Sequence, residues 1–199
     1  MTKNKNRVTP AKYEFRVWDP KRKVSRQLAT MAEFDYGERL HDCYLLVADK
    51  SYNAKIRRNR IKIKRLVGEQ AGFQCWSSKW LSSPNDAPKP FGRLLSELHS
   101  LRPVPDDFER ELTRILRGLR LEKGVRPVFV TKRRRRFYLG SMKAETAEIK
   151  VRGHKSSRST VAIEGSDLND LIHLRSGLGL TKVPNLAFHL AISRQPKRS

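Results

Sequence analysis

Short runs in which a cation and an apolar residue alternate constrain this chain more than any other feature. Ala54-Lys55-Ile56-Arg57 and Ile61-Lys62-Ile63-Lys64 each place apolar side chains on one side of a two-residue period and cations on the other. A helix has no such period, but a pleated strand does, because successive side chains point to opposite faces. Arg58-Asn59 between the runs is turn-like, so the pair reads as a hairpin with one basic face. The alternation recurs at Lys12–Trp18, where Tyr13, Phe15 and Val17 oppose Lys12, Glu14 and Arg16. His41–Ala48, Gln74–Leu81, Val125–Lys132, Phe137–Gly140, Ala144–Arg152, Ser159–Glu164 and Asn185–Ile192 are further strand candidates.

Two stretches read as helix. Phe108, Leu112, Ile115, Leu116 and Leu119 keep helical spacing after a start at Pro105 and Asp106. Ser166 is placed to cap a second helix carrying Leu168, Leu171, Ile172 and Arg175, which stops at Gly177 and Gly179. Eight or nine short strands with so few helices predict an α+β chain dominated by a closed antiparallel barrel or a curved sheet. Residues 1–11 and 195–199 read as polar tails around one domain over 12–194, with a Pro-rich loop at 82–90.

The basic face decides what such a sheet can do. Lys55 and Arg57, Lys62 and Lys64, and Lys132 with Arg134 and Arg136 each share one side of a strand. Two like charges ~4 Å apart repel by roughly 1 kcal/mol in water and about 4 kcal/mol at an effective dielectric near 20. Gathered inside a barrel, these cations demand an anion; on a solvated outer face they demand nothing. Alternation is the same whichever face is inside, so both readings stand. The chain carries 43 Lys and Arg against 20 Asp and Glu, a formal charge of +23. That excess favours phosphate-rich partners, a small molecule or polyphosphate on the first reading. On the second reading the partner is a nucleic acid, with the Arg133–Arg136 run and both tails supplying phosphate contacts.

Several classes are excluded. No run of 18 apolar residues exists, so no membrane partner is expected, and no apolar stretch follows Lys3, Lys5 and Arg7 as a secretory leader requires. Cys43 and Cys75 lack metal or redox spacing and read as free thiols, which predicts a cytoplasmic protein. The five histidines share no ligand spacing, and hydrolase, zincin, P-loop and dinucleotide motifs are missing. Trp76 and Trp80 share a face and read as packing residues. The sequence is silent on oligomeric state.

Taken in order, the runs resemble the CYTH-like, or triphosphate tunnel, superfamily. Its opening ExExK strand is matched by Tyr13-Glu14-Phe15-Arg16-Val17-Trp18, and its basic hairpin by the Lys55/Arg57 and Lys62/Lys64 runs. A KxR strand recurs at Lys132–Tyr138, and acidic residues follow at Glu145 and Glu148. The final strand and helix match Val161-Ala162-Ile163-Glu164-Gly165-Ser166 and Gly177-Leu178-Gly179-Leu180. The resemblance implies an eight-stranded antiparallel tunnel open at both ends. Arg16, Lys55, Arg57, Lys62, Lys64, Lys132, Arg134 and Arg136 would hold a triphosphate, a polyphosphate or a nucleotide. Glu14, Glu148 and Glu164 would hold Mg²⁺ or Mn²⁺. Members of the family hydrolyse triphosphates, make cyclic AMP from ATP, cleave thiamine triphosphate or process the 5′ end of RNA.

The departures are as informative as the matches. Arg16 stands where the family has its second glutamate, Trp18 where it has lysine, and Ala162 where a late glutamate is expected. An arginine in place of a metal-binding carboxylate reverses its charge and can only donate. The expectation is an anion-binding tunnel with weak or lost triphosphatase activity, the alternative being an active metal-dependent hydrolase with a divergent metal site. Glu145 and Glu148 are three apart, so a regular strand sends only one of them inward.

Overall fold

A computed structural model describes residues 9–19, 21–81, 83–87, 91–101, 107–119 and 125–193. The alternating runs fold into a closed barrel of eight antiparallel strands. These are β1 (Thr9–Trp18), β2 (Glu33–Leu46), β3 (Tyr52–Arg57), β4 (Arg60–Gln70), β5 (Phe73–Leu81), β6 (Arg126–Leu139), β7 (Met142–Val151) and β8 (Arg158–Gly165). They close in the order β1-β5-β4-β3-β2-β6-β7-β8. Two meanders, β2 to β5 and β6 to β8, meet along β2–β6, and β1 seals the ring between β5 and β8. The Arg58-Asn59 turn joins β3 to β4, with Arg57 directly opposite Arg60.

Two strands run beyond their apolar signal. β2 begins eight residues before His41, in the exposed segment from Glu33, where polar outer positions hide the period. β6 is continuous through the arginine run, because the cations alternate sides and meet acids across the ladder. Arg134 faces Glu38 on β2, while Arg133 and Arg136 face Glu148 and Glu145 on β7. The tail expected over residues 1–11 is shorter, since β1 starts at Thr9. Residues 1–8 and the 195–199 tail lie outside the described residues, as do positions 82 and 88–90 of the Pro-rich loop and the helix start at Pro105 and Asp106.

Among the described residues five α-helices accompany the barrel, against two expected. They are α1 (Lys23–Met31), α2 (Phe91–Ser100), α3 (Phe108–Gly118), α4 (Leu168–Gly177) and α5 (Phe188–Ser193). The cap of α4 is Asp167 rather than Ser166: its Oδ1 accepts from the backbone N–H of Asn169 at 2.8 Å and of Asp170 at 3.1 Å. α2 buries Phe91, Leu94, Leu95 and Leu98, an i, i+3, i+4, i+7 stripe that follows the proline-rich loop directly.

Asn185–Ile192, expected as a strand, is instead a short edge contact leading into α5. Arg16 donates its backbone N–H to Asn185 Oδ1 at 2.9 Å, and Leu186 donates to the Arg16 carbonyl at 3.0 Å. This segment satisfies β1 beyond Glu14, where its described pairing with β5 ends. From Phe188 the buried residues Phe188, Ala191 and Ile192 follow helical spacing.

The apolar face of each alternating run points outward, under helices. Cys43, Leu45, Ile56, Ile61, Ile63 and Leu81 pack with α2 and α3. Phe15, Val17, Phe137, Val161 and Ile163 pack with Leu28 of α1 and with Leu171 and Leu174 of α4. Burial pushes the Cys43 thiol up to about 12, so it is inert at neutral pH. The basic face is therefore the inner one.

A third cluster fills one end of the interior. Phe188 and Ile192 of α5 pack there with Tyr44, Leu46, Val128, Val130, Ile149 and Val151. Phe188 stacks on Tyr44 with ring centroids 4.7 Å apart. His189 donates from Nε2 to the Lys50 carbonyl at 3.0 Å, tying α5 to the loop after β2. α5 and this cluster plug one end of the barrel interior, leaving a cup-shaped space between the strands at the other. Phe188→Ala is expected to cost about 3–5 kcal/mol in urea unfolding, because the plug loses its largest apolar contact.

Candidate anion-binding site

The cup holds a cavity of about 340 Å³. Its lining includes Arg16 from β1, Lys55 and Arg57 from β3, Lys62 and Lys64 from β4, Lys132, Arg134 and Arg136 from β6, and Lys143 from β7. Glu14, Glu145 and Glu164 line it too. All eight cations that the sequence suggests for anion binding therefore face one space. Of the three suggested metal-binding glutamates, Glu14 and Glu164 do so and Glu148 does not. Glu148 lies on the outer face, 3.1 Å from Arg22 and 3.9 Å from Arg133. Its neighbour in the choice, Glu145, is the inward one.

Asp42, which sequence reasoning missed, organises the floor. Its carboxylate has no exposed side-chain surface and accepts from Arg57 at 2.6 and 2.8 Å and from Lys55 at 3.2 Å, with Lys132 at 3.6 Å. Burial works against its charge, but Lys55, Arg57 and Lys132 together hold it far below the usual carboxylate range. The available signal was a lone aspartate in the apolar run His41–Ala48. Lys132 also donates to Tyr44 Oη at 2.6 Å and lies 3.7 Å from the centroid of the Phe188 ring.

A second group sits along β1, β7 and β8. Glu14 accepts from Lys64 at 2.5 Å and lies 3.3 Å from Arg16. Arg16 reaches Glu145 at 3.5 Å with its other terminal nitrogen, and Glu145 accepts from Arg134 at 3.0 Å. Burial disfavours both glutamates' charge. Lys64 and Arg16 nevertheless hold Glu14 well below its ordinary value, and Arg16, Lys132 and Arg134 hold Glu145 at about 2. Arg134 also pairs with Glu38 at the rim, and Arg136 donates to Tyr36 Oη at 2.6 Å.

These pairs do not balance the cavity. Among the described residues nine cations line it, against Glu14, Glu145 and Glu164 in the lining, Asp42 beneath, and Glu38 and Asp35 paired with Arg134 and Arg136 at the rim, leaving an excess of three positive charges. Arg134 Nε is buried and has no hydrogen-bond partner. Burial pushes the lysines at positions 62 and 132 down to about 8, and Lys55 well below the lysine range. Like charges crowd one another across this space.

The residues present do not fit the divalent metal that the family resemblance implies. Glu14 is directly opposite Glu164 across β1–β8, and Arg16 is opposite Ala162. The Arg16 guanidinium, with only 9% of its side chain exposed, therefore occupies the space between Glu14 and Glu145. A permanently charged donor in that space repels a cation and uses the lone pairs a metal would need. Among the described residues, no group of three or more His, Cys, Asp or Glu side chains is placed to hold a metal.

No family model matches the sequence, and no curated protein matches it either. Among solved structures, the PH1012 protein of Pyrococcus horikoshii aligns over 90% of this chain and 98% of its own, at 14% identity and a TM-score of 0.56. A conserved hypothetical protein of Pyrococcus furiosus aligns over 89% and 98%, at 16% identity and a TM-score of 0.55. Both share the fold. A Hippeastrum protein described as having a dominant triphosphatase activity aligns more loosely, over 90% and 91%, at 12% identity and a TM-score of 0.45, too low to carry an argument. A closed eight-stranded antiparallel barrel is the architecture that the resemblance in the sequence implies.

Asp42→Asn removes the single carboxylate from three buried cations. It is expected to destabilise the fold by about 3–5 kcal/mol in denaturant titration, and added tripolyphosphate should recover part of the loss.

Proposed function

We propose that the cup binds a phosphate-rich anion, a triphosphate, a polyphosphate or a nucleotide, and that triphosphate hydrolysis in it is weak or lost. The observation that carries this reading is the excess of cations over carboxylates around one inward-facing cavity. A cavity of about 340 Å³ is within the range of small-molecule sites. Arg134 Nε supplies a buried donor awaiting an acceptor. Several cations at fixed positions match several linked phosphates better than one isolated oxyanion.

The same geometry argues against turnover. Binding that is equal in ground and transition states does not speed the chemical step. Glu145, held at about 2 by its cationic neighbours once burial is outweighed, is a poor general base at neutral pH. Glu14 is engaged by Lys64 and Arg16. The Mg²⁺ or Mn²⁺ of the family would need the position that Arg16 fills.

Thermal shift at matched ionic strength tests the binding. Tripolyphosphate at 100 times Kd should stabilise the fold by about 2.7 kcal/mol, sulfate should do much less, and EDTA should change nothing. Lys62→Ala with Lys64→Ala should abolish the shift; equal responses to sulfate and tripolyphosphate would refute a specific site.

The shift should also depend on pH. Lysines 62 and 132, lowered to about 8 by burial, hold fewer protons in the ligand-free fold than in the unfolded chain between pH about 8 and about 10.4. Their contribution to ligand-free stability therefore rises with pH across that window. An anion restores their charge, so the tripolyphosphate-induced shift should be full below pH 8 and shrink above it.

Phosphate release from tripolyphosphate and ATP with Mg²⁺ or Mn²⁺ tests the chemistry. The expected rate is at or near background. Robust metal-dependent release that disappears in Glu14→Ala or Glu164→Ala would establish the active-hydrolase alternative instead.

A further inference from the structure

The outer surface carries a second basic site, separated from the cup by the barrel wall. α2 and α3 cover the outer faces of β3 and β4 with part of β2, and α1 and α4 cover β1 and β8. Between these layers the middle of β2, β6 and β7 forms the floor of a cleft of about 640 Å³, with α1 along one side. Arg22, Arg26, Arg39, Arg133 and Arg135 line it, all of them exposed. Glu38 and Arg134 also border it but pair with each other.

The outer arginines are only partly neutralised. Arg39 lies directly opposite Arg133 across β2–β6, an unfavourable placement for like charges. The one facing acid, Glu148, is shared between Arg22 and Arg133 and also accepts from Ser157 at 2.8 Å. Among the described residues, no carboxylate lies within ion-pair distance of Arg26, Arg39 or Arg135. Arg22 is held over the cleft from a left-handed backbone at φ 53°, costly for a residue with a side chain, and donates to Ser159 at 3.1 Å as well as to Glu148. Arg133 and Arg135 are two residues apart on one strand face, about 6.8 Å along it.

An aromatic surface adjoins this row. Phe34 is 50% exposed, and the Arg135 guanidinium lies 5.1 Å from its ring centroid. Gly37 sits between them in the ladder, opposite Arg135, and keeps the floor free of a side chain. Exposed cations beside a half-exposed aromatic ring are the elements of a single-strand site, where the backbone meets charge and a base meets a ring.

We propose that this cleft binds a single-stranded sugar–phosphate chain, with backbone phosphates on Arg22, Arg26, Arg39, Arg133 and Arg135 and a base against Phe34. The site is independent of the anion in the cup. The two can be filled together, because the strands send alternate side chains to opposite faces.

Fluorescence anisotropy of the full chain tests this, using labelled 12-nucleotide RNA and DNA single strands of one sequence. Saturating tripolyphosphate is present throughout to fill the cup. Arg39→Ala with Arg133→Ala should raise Kd at least tenfold and lower the slope of log affinity against log salt by about 1.4, at 0.7 per lost phosphate contact. Its tripolyphosphate thermal shift should stay at the wild-type value, which reports an intact barrel. Gly37→Glu is the second variant. A Cβ there meets only the Arg134 carbonyl at 3.6 Å and Phe34 Cζ at 3.9 Å, so a carboxylate enters the cleft without displacing anything; binding should weaken severalfold. Phe34→Ala should weaken the nucleic acids while leaving the tripolyphosphate thermal shift at the wild-type value. Binding of either strand supports the proposal, and the difference between RNA and DNA names the sugar. Unchanged affinity in both the double alanine variant and Gly37→Glu would overturn it, as would loss of binding under saturating tripolyphosphate. Tighter binding of a duplex, or indifference to Phe34→Ala, would overturn the single-strand assignment.

Discussion

Asp42 meets Lys55, Arg57 and Lys132 with one carboxylate that has no solvent-exposed surface, and the interior of the barrel is arranged around that contact. Removing four charges from water is costly, and the return depends on geometry. The two short bonds from Arg57 supply it on one side, and the Tyr44 hydroxyl supplies it on the other through Lys132. Tyr44 then stacks on Phe188, so the charged floor and the apolar plug share a wall. The barrel interior is consequently split along its axis: hydrocarbon fills one end, and cations the plug cannot neutralise crowd the other.

Arg16 is the residue that most separates this cup from the metal-dependent sites its sequence resembles. Its guanidinium joins Glu14 to Glu145 from the inside, as a cation the fold supplies itself. A guanidinium has no coordinated water whose pKa it could lower, as a divalent ion does. It can hold two carboxylates apart and keep them ionised, which fixes the arrangement of Lys64 and Arg134 beyond them. Glu14, Glu145 and Asp42 thus brace the cations around them.

Much of this was legible in the chain. The two-residue period at Lys55–Arg57 and Lys62–Lys64 identifies strands and sorts their faces, because the pleat is a local property. What the period cannot carry is which face is inside; that depends on the helices that cover the other one. α2 shows a clear apolar stripe at Phe91, Leu94, Leu95 and Leu98, yet the preceding prolines drew attention to the loop instead. α5 is too short for a periodic signal, and Asn185 mimics a strand because its side chain completes the β1 ladder. Glu145 and Glu148 could be placed on opposite faces but not assigned to them, since the phase of β7 is set by its neighbours. Asp42 stood unremarked among strand formers for a similar reason: its three partners come from β3 and β6 and meet only when the ring closes.

The blind end made by α5 has a consequence for polymers. In an open tunnel a chain of any length can thread through, and every internal segment is as good as a terminus. Here Phe188 and Ile192 block the way out, so whatever enters must back out by the mouth it came through. On the proposed function, a linear polyphosphate would meet Lys55 and Lys132, the cations nearest this plug, only with its tip. Occupancy would then count chain ends rather than chain mass, and lengthening the polymer beyond what the cup accommodates would add no further contacts inside it.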